Sequence, residues 1–118
     1  MKADRTEKGR YYESVAAAFL EAQGYEILCR NFRTRSGEID LIGREAGSLC
    51  FIEVKYRSSS AYGMPSEFVD RKKQLRIMRV SRTYMTLHRC ERQPVRYDVV
   101  EIIGRRIRVI RDAFGSTF

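Results

Sequence analysis

Between residues 10 and 23 the apolar side chains recur at helical spacing. At about 100° per residue, Tyr12, Val15, Ala16, Phe19 and Leu20 fall on one arc, which predicts an amphipathic helix. Glu13 borders that arc beside Leu20, whereas Glu21 lies round toward solvent. Gly24 offers a left-handed cap, and Tyr25 to Arg30 enters the first strand. From Gly37 to Arg57 the period shortens to that of strands, with Ile39, Leu41 and Ile42, then Phe51, Ile52 and Val54, about a turn centred on Ala46 and Gly47. A second helix is predicted from Asp70, a suitable N-cap, to about Arg89. Its wheel gathers Ile77, Val80, Tyr84, Met85 and Leu87 on one side and Arg71, Lys72, Arg76, Arg79 and Arg82 on the other. Pro94 suits the start of a strand, and Val95–Ile103 with Arg106–Ile110 reads as adjacent strands around Gly104. Helix, strands, helix and strands in this order predict an α/β domain with a mixed sheet flanked by helices.

The Gly37–Arg57 hairpin is interrupted by Asp40, Glu53 and Lys55, ionisable residues set in otherwise apolar strands. Centred on Ala46 and Gly47, the pairing sets Asp40 opposite Glu53 and Glu38 opposite Lys55, all on one face. Directly opposed side chains bring their Cβ atoms within about 4.5–5.5 Å, and two carboxylates that close repel. A hard divalent ion held through oxygens is the usual compensation, and a cation there would suit metal-assisted hydrolysis of a phosphodiester. The plainer reading is an amphipathic strand with alternating Glu and Lys.

The wider string is more specific. Asp40 followed by Glu53-Val54-Lys55 resembles the PD-(D/E)XK nuclease signature, and GEIDLI with FIEVKYR resembles the YraN-like uncharacterised protein family within that superfamily. The likeness also covers EAQGYEIL and RNFR, the glycine-containing loop at 61–65, Lys73-Gln74, Arg96 to Val100 and Asp112-Ala113-Phe114. Tyr12 stands before Glu13 where relatives usually carry glycine, which bears on how closely Glu13 can approach a metal.

The resemblance implies a restriction-endonuclease-like αβββαβ core and hydrolysis of DNA dependent on Mg²⁺ or Mn²⁺. In that scheme Asp40 and Glu53, with the carbonyl of Val54, bind the ion, and Lys55 positions the attacking water. Glu13 is an outer ligand or orients that water, although a helix Glu near a positive N-terminus needs no such role. Arg57, Lys72, Lys73 and Arg76 hold phosphates, with Gln74 beside Lys73 at the edge of the site. Likeness to Holliday-junction resolvases implies branched DNA and a homodimer. The alternative is a nuclease-fold nucleic-acid-binding protein without turnover, serving a DNA repair or processing complex. A basic protein-binding module is the third reading.

Composition narrows the class without choosing among these. The chain has 118 residues, enough for one core, and 23 Lys and Arg against 15 Asp and Glu give a net charge of +8, the footprint of a phosphate-backbone binder. The basic arc of the second helix is either a solvated face or a phosphate track, because clustered cations repel unless something anionic lies on them. Lys73 falls within the apolar arc and either snorkels or points back at the hairpin carboxylates. Cys29, Cys50 and Cys90 make no C-x-x-C pair, which suits reduced thiols. Arg96 and Asp98 share a strand face and can pair, and His88, the single histidine, builds neither a metal cluster nor a triad. Residues 1–9 read as a loosely ordered arm before a single domain over 10–118, and Ser58 to Ser60 as a flexible connection. The charged N-terminus and the short apolar run Val15–Leu20 give neither a signal peptide nor a membrane span, so the expectation is a cytoplasmic protein.

Overall fold

A computed structural model describes residues 7–57 and 69–115. The elements are α1 (Glu7–Ala22), β1 (Glu26–Thr34), β2 (Gly37–Glu45), β3 (Ser48–Arg57), α2 (Arg71–Leu87), β4 (Val95–Ile103) and β5 (Arg106–Phe114). They build a five-stranded sheet in the order β1-β2-β3-β4-β5, antiparallel except for the parallel pair β3–β4. This is the predicted α/β class, with the αβββαβ order of a restriction-endonuclease-like core and β5 added at the edge. Among the described residues no helix is long and apolar enough to cross a membrane.

Each helix covers one face. Ala16, Ala17 and Leu20 of α1 pack with Leu41, Cys50, Ile52, Val54, Val100 and Ile102, while Ile77, Val80 and Tyr84 of α2 pack with Ile39, Ile42, Leu49, Phe51 and Val99. Tyr84 meets Phe32 and Phe51 edge-on at ring distances of 5.2 and 5.8 Å, and His88 stacks on Tyr84 at 4.1 Å. That contact accounts for the lone histidine.

Local chemistry sets the boundaries. Gly24 adopts φ +102°, and the hairpin turn places Ala46 at φ +54° and Gly47 at +81°, the left-handed pair that matches the twist of a tight hairpin. The Asp70 side chain accepts from the Lys73 amide at 2.9 Å and starts α2 as foreseen. The Pro94 carbonyl accepts from Leu49 N at 2.8 Å where β4 begins beside β3.

Several expectations need correction. Helix α1 starts at Glu7, so Glu7, Lys8 and Gly9 belong to it and not to a loose arm. Strand β1, entered at Tyr25 to Arg30, runs to Thr34, and β5 runs past Ile110 to Phe114, where pairing resumes at Tyr97↔Phe114 beyond an irregularity. Leu87, counted with the apolar arc, is 66% exposed in the last turn of α2, and Met78 and Ser81 are buried instead. Ser81 can turn inward because its hydroxyl donates to Met78 O at 2.7 Å and meets the Tyr97 hydroxyl at 2.8 Å. The arm at 1–6, the connection at Ser58–Ser60 and the loop at 61–65 lie outside the described residues.

Candidate active site

The strands β2 and β3 pair from Leu41↔Ile52 to Glu45↔Ser48, the register read from the sequence. Toward Gly37 a side chain takes over: Val54 N donates to Asp40 Oδ2 at 2.8 Å. Ile39 and Ile42 pack on the α2 side and Leu41 on the α1 side, a spacing that simple alternation does not allow. The strand therefore slips by one residue at Asp40–Leu41. As a result Asp40 and Glu53 do not share one face, contrary to the arrangement expected from the hairpin. Asp40 turns toward α1, while Glu53 turns toward α2 and pairs with Lys73.

On the α1 side, Glu13, Glu38 and Asp40 come together with one carboxylate oxygen from each lying within 4.8 Å of the others. Glu13 is 3% exposed and Asp40 is fully buried, so this is no solvated acidic surface. Asn31, from β1, ties the group. Its side-chain amide donates to Glu13 Oε1 at 2.9 Å and to Glu38 Oε2 at 3.2 Å. Asn31 holds φ +56°, a left-handed conformation that Asn tolerates better than most residues but that costs strain within a strand. Arg33 adds a looser ion pair to Glu38 at 3.6 Å.

On the α2 side, Glu53 is 3% exposed and forms an ion pair with Lys73, with Lys55 Nζ at 3.9 Å from the same oxygen. Its other oxygen, Oε1, is buried with no hydrogen-bond partner among the described residues. Burial, then the positive charge of Lys73, pushes the Lys55 ammonium below the ordinary lysine range, against the opposing pull of Glu53 and Asp40. Lys55 is thus placed by geometry beside Glu53. Lys73 takes the second course open to it in the sequence and points at the hairpin.

The remaining predicted residues divide. Lys72 and Arg76 are exposed on α2, the Arg76 side chain passing over Gly37, where a Cβ would lie 3.8 Å from it. Arg57 is half-buried at the end of β3. Gln74 is engaged at the helix start, donating to Val69 O at 2.9 Å and accepting from Arg71 at 3.0 Å. Arg71, Arg79 and Arg82 extend the exposed basic face.

Asn31 and Glu38 are the participants the sequence did not single out as site residues. Glu38 shares a strand face with Asp40, which was signal enough. For Asn31 the signal was weaker, an Asn within a strand, where that residue is disfavoured.

A second buried polar group lies elsewhere. Arg96 clamps both oxygens of buried Asp98 at 3.0 Å, Tyr25 donates to Asp98 Oδ2 at 2.7 Å, and Glu45 receives Arg96 at 2.6 Å and Arg111 at 3.2 Å. Burial and the bond to Asp98 push the Tyr25 hydroxyl well above its ordinary range, and the Arg96 guanidinium holds the Glu45 carboxyl below its own. The group ties the start of β1 to the sheet's far edge. The three thiols are free; burial raises Cys29 and lifts Cys50 to about 11, so both resist ionisation.

A mixed sheet between two helices, with carboxylates and a lysine gathered where its strands part, defines an α/β protein of restriction-endonuclease-like architecture. Residues 12–102 match the uncharacterised protein family UPF0102, and the chain belongs to that family. It is 47% identical over 113 residues to a UPF0102 protein of Symbiobacterium thermophilum, covering 92% of this chain and 96% of the relative. To UPF0102 proteins of Lachnoclostridium phytofermentans and Persephonella marina it is 44% and 37% identical, covering 92% and 94% of this chain and 93% and 96% of theirs.

Proposed function

We propose that this protein is a metal-dependent endonuclease that hydrolyses DNA phosphodiester bonds. The observation that carries the reading is the convergence of Glu13, Glu38 and Asp40 within 4.8 Å beside a partly desolvated lysine. Buried carboxylates that close repel unless a cation offsets them, and an all-oxygen donor set suits Mg²⁺ or Mn²⁺. Glu13, Glu38 and Asp40 would hold the ion, and Asn31 keeps the first two in place. Glu53 stands across the gap with Lys73. The chemistry supplied by an ion in that position would be Lewis-acid polarisation of a phosphoryl oxygen and a lower cost of ionising water. Lys55 orients the attacking water and stabilises the charge that builds on the phosphoryl oxygens. Lys72, Arg76 and the rest of the basic α2 face contact phosphates on either side, and Arg57 does so from the end of β3. Branched DNA cut by a homodimer is the form that the resolvase likeness favours.

The test is cleavage of linear, flapped and four-way DNA with Mg²⁺ or Mn²⁺, comparing wild type with Asp40→Asn and Lys55→Ala. Metal-dependent cutting that both substitutions abolish supports the site. Cutting that survives both refutes it. One observation favours the alternative of binding without turnover, within a repair or processing complex: Lys73 already neutralises Glu53, a carboxylate that the nuclease resemblance assigns to the ion. Salt-sensitive DNA binding with no cutting of any substrate selects that reading.

A further inference from the structure

Beside the site, on the α1 face of the sheet, lies a group of tyrosines that neither the metal nor the phosphate contacts use. The Tyr12 and Tyr56 rings stack at 4.2 Å and 16°, and Tyr11 meets Tyr12 edge-on at 5.2 Å. Tyr12 adjoins Glu13 in α1 and Tyr56 adjoins Lys55 in β3, so the stack is fixed to two elements that supply site residues. Tyr11 leaves 63% of its surface exposed, more than its contact with Tyr12 needs, on a helix turn that also carries exposed Lys8 and Arg10. Lys8 Nζ lies 5.9 Å from the Tyr56 ring centroid.

Flat aromatic faces among cations match a single strand of nucleic acid, whose bases stack while its phosphates pair with Lys and Arg. A duplex cannot use such a surface, because its base faces are already stacked on one another. We infer that Tyr11, seated edge-on against the half-buried Tyr12–Tyr56 stack, is a stacking platform for an unpaired base of DNA next to the phosphodiester site, so that the substrate class is DNA with a single-stranded segment at the cut. The inference rests on the nucleic-acid reading above and adds to it which strand form is recognised.

Equilibrium binding of the full chain in EDTA separates the two, since no cleavage is involved. The probes are a labelled oligo-dT of about twelve nucleotides and a blunt duplex of the same length, within the site sizes that single-strand binders cover. Tyr11→Ala weakens oligo-dT binding about five-fold or more and leaves the duplex unchanged, and Tyr11→Phe retains both, because a phenyl ring still stacks. Equal affinity of wild type and Tyr11→Ala for oligo-dT, or a matching loss on both probes, overturns the platform while leaving the nuclease reading standing. If wild type does not bind oligo-dT, the platform falls, and cutting of flapped and four-way DNA with metal decides the nuclease reading by itself. A change in sedimentation of Tyr11→Ala with oligo-dT affinity intact assigns the rings to a protein interface and overturns the inference.

Discussion

The main-chain amide of Val54 donates to the side chain of Asp40 at 2.8 Å, so a candidate metal ligand also completes the seam between β2 and β3. Asp40→Ala leaves a buried N–H without its acceptor and costs about 1–3 kcal/mol. Asp40→Asn retains a carbonyl oxygen for that bond and costs less, yet removes a charge from the acidic group. Urea denaturation of both variants, with Mn²⁺ titration by calorimetry, separates the roles: the alanine variant is less stable, and both lose the ion.

At Asn31 the backbone and the side chain can be tested apart. Alanine keeps the left-handed strain and loses the amide, whereas glycine relieves the strain and loses the amide as well. Asn31→Gly is therefore more stable than Asn31→Ala by about 1 kcal/mol. Both weaken Mn²⁺ binding by a similar factor, on the order of 10- to 100-fold, as loss of a group that orients metal ligands does. Equal stability of the two variants means that the conformation carries no strain.

Lys73 and Glu53 test as a pair. Removing the cation in Lys73→Met strands a carboxylate that is 3% exposed, with Lys55 left at 3.9 Å to compensate in part, and lowers stability by about 2 kcal/mol. Neutralising the partner as well, in Lys73→Met with Glu53→Gln, recovers much of that loss. A double-mutant cycle that returns simple additivity shows the pair to be uncoupled.

Acid stability has a stated sign at Glu45. Arg96 holds its carboxyl below the ordinary value of 4.5, so ionised Glu45 stabilises the folded chain above that value. The contribution is lost as pH falls through the depressed folded-state range. Thermal melts from neutral pH down to about pH 3 therefore show a shallower acid decline for Glu45→Gln than for wild type, which starts from higher stability at neutral pH.

How far the sequence carried the fold and the site depended on whether a feature was local. The Ala46-Gly47 turn, the Asp70 cap and the register from Leu41 to Glu45 were legible because turn chemistry and alternation act within a few residues. The slip at Asp40–Leu41 was not, since a strand period is read on the premise that it continues. That slip moves Asp40 away from the Glu53 side and toward Glu13 and Glu38. Glu13 was visible as a charge at the rim of an apolar arc, but its depth was not, because that depends on how α1 lies on the sheet. Arg96 with Asp98 could be paired from strand spacing, whereas Tyr25 and Glu45 reach them only through the finished fold.

The parallel pairing of β3 with β4 divides the candidate site by origin. Glu13, Asn31, Glu38 and Asp40 sit on α1, β1 and β2, neighbours in sequence that meet through short turns. Lys73 rides on α2, within the crossover that must be ordered before β4 can lie beside β3. The acidic group thus draws on the first three elements alone, whereas the lysine that balances Glu53 comes from the crossover itself. One half of the site is built on antiparallel neighbours and the other hangs on the connection that makes β3 and β4 parallel.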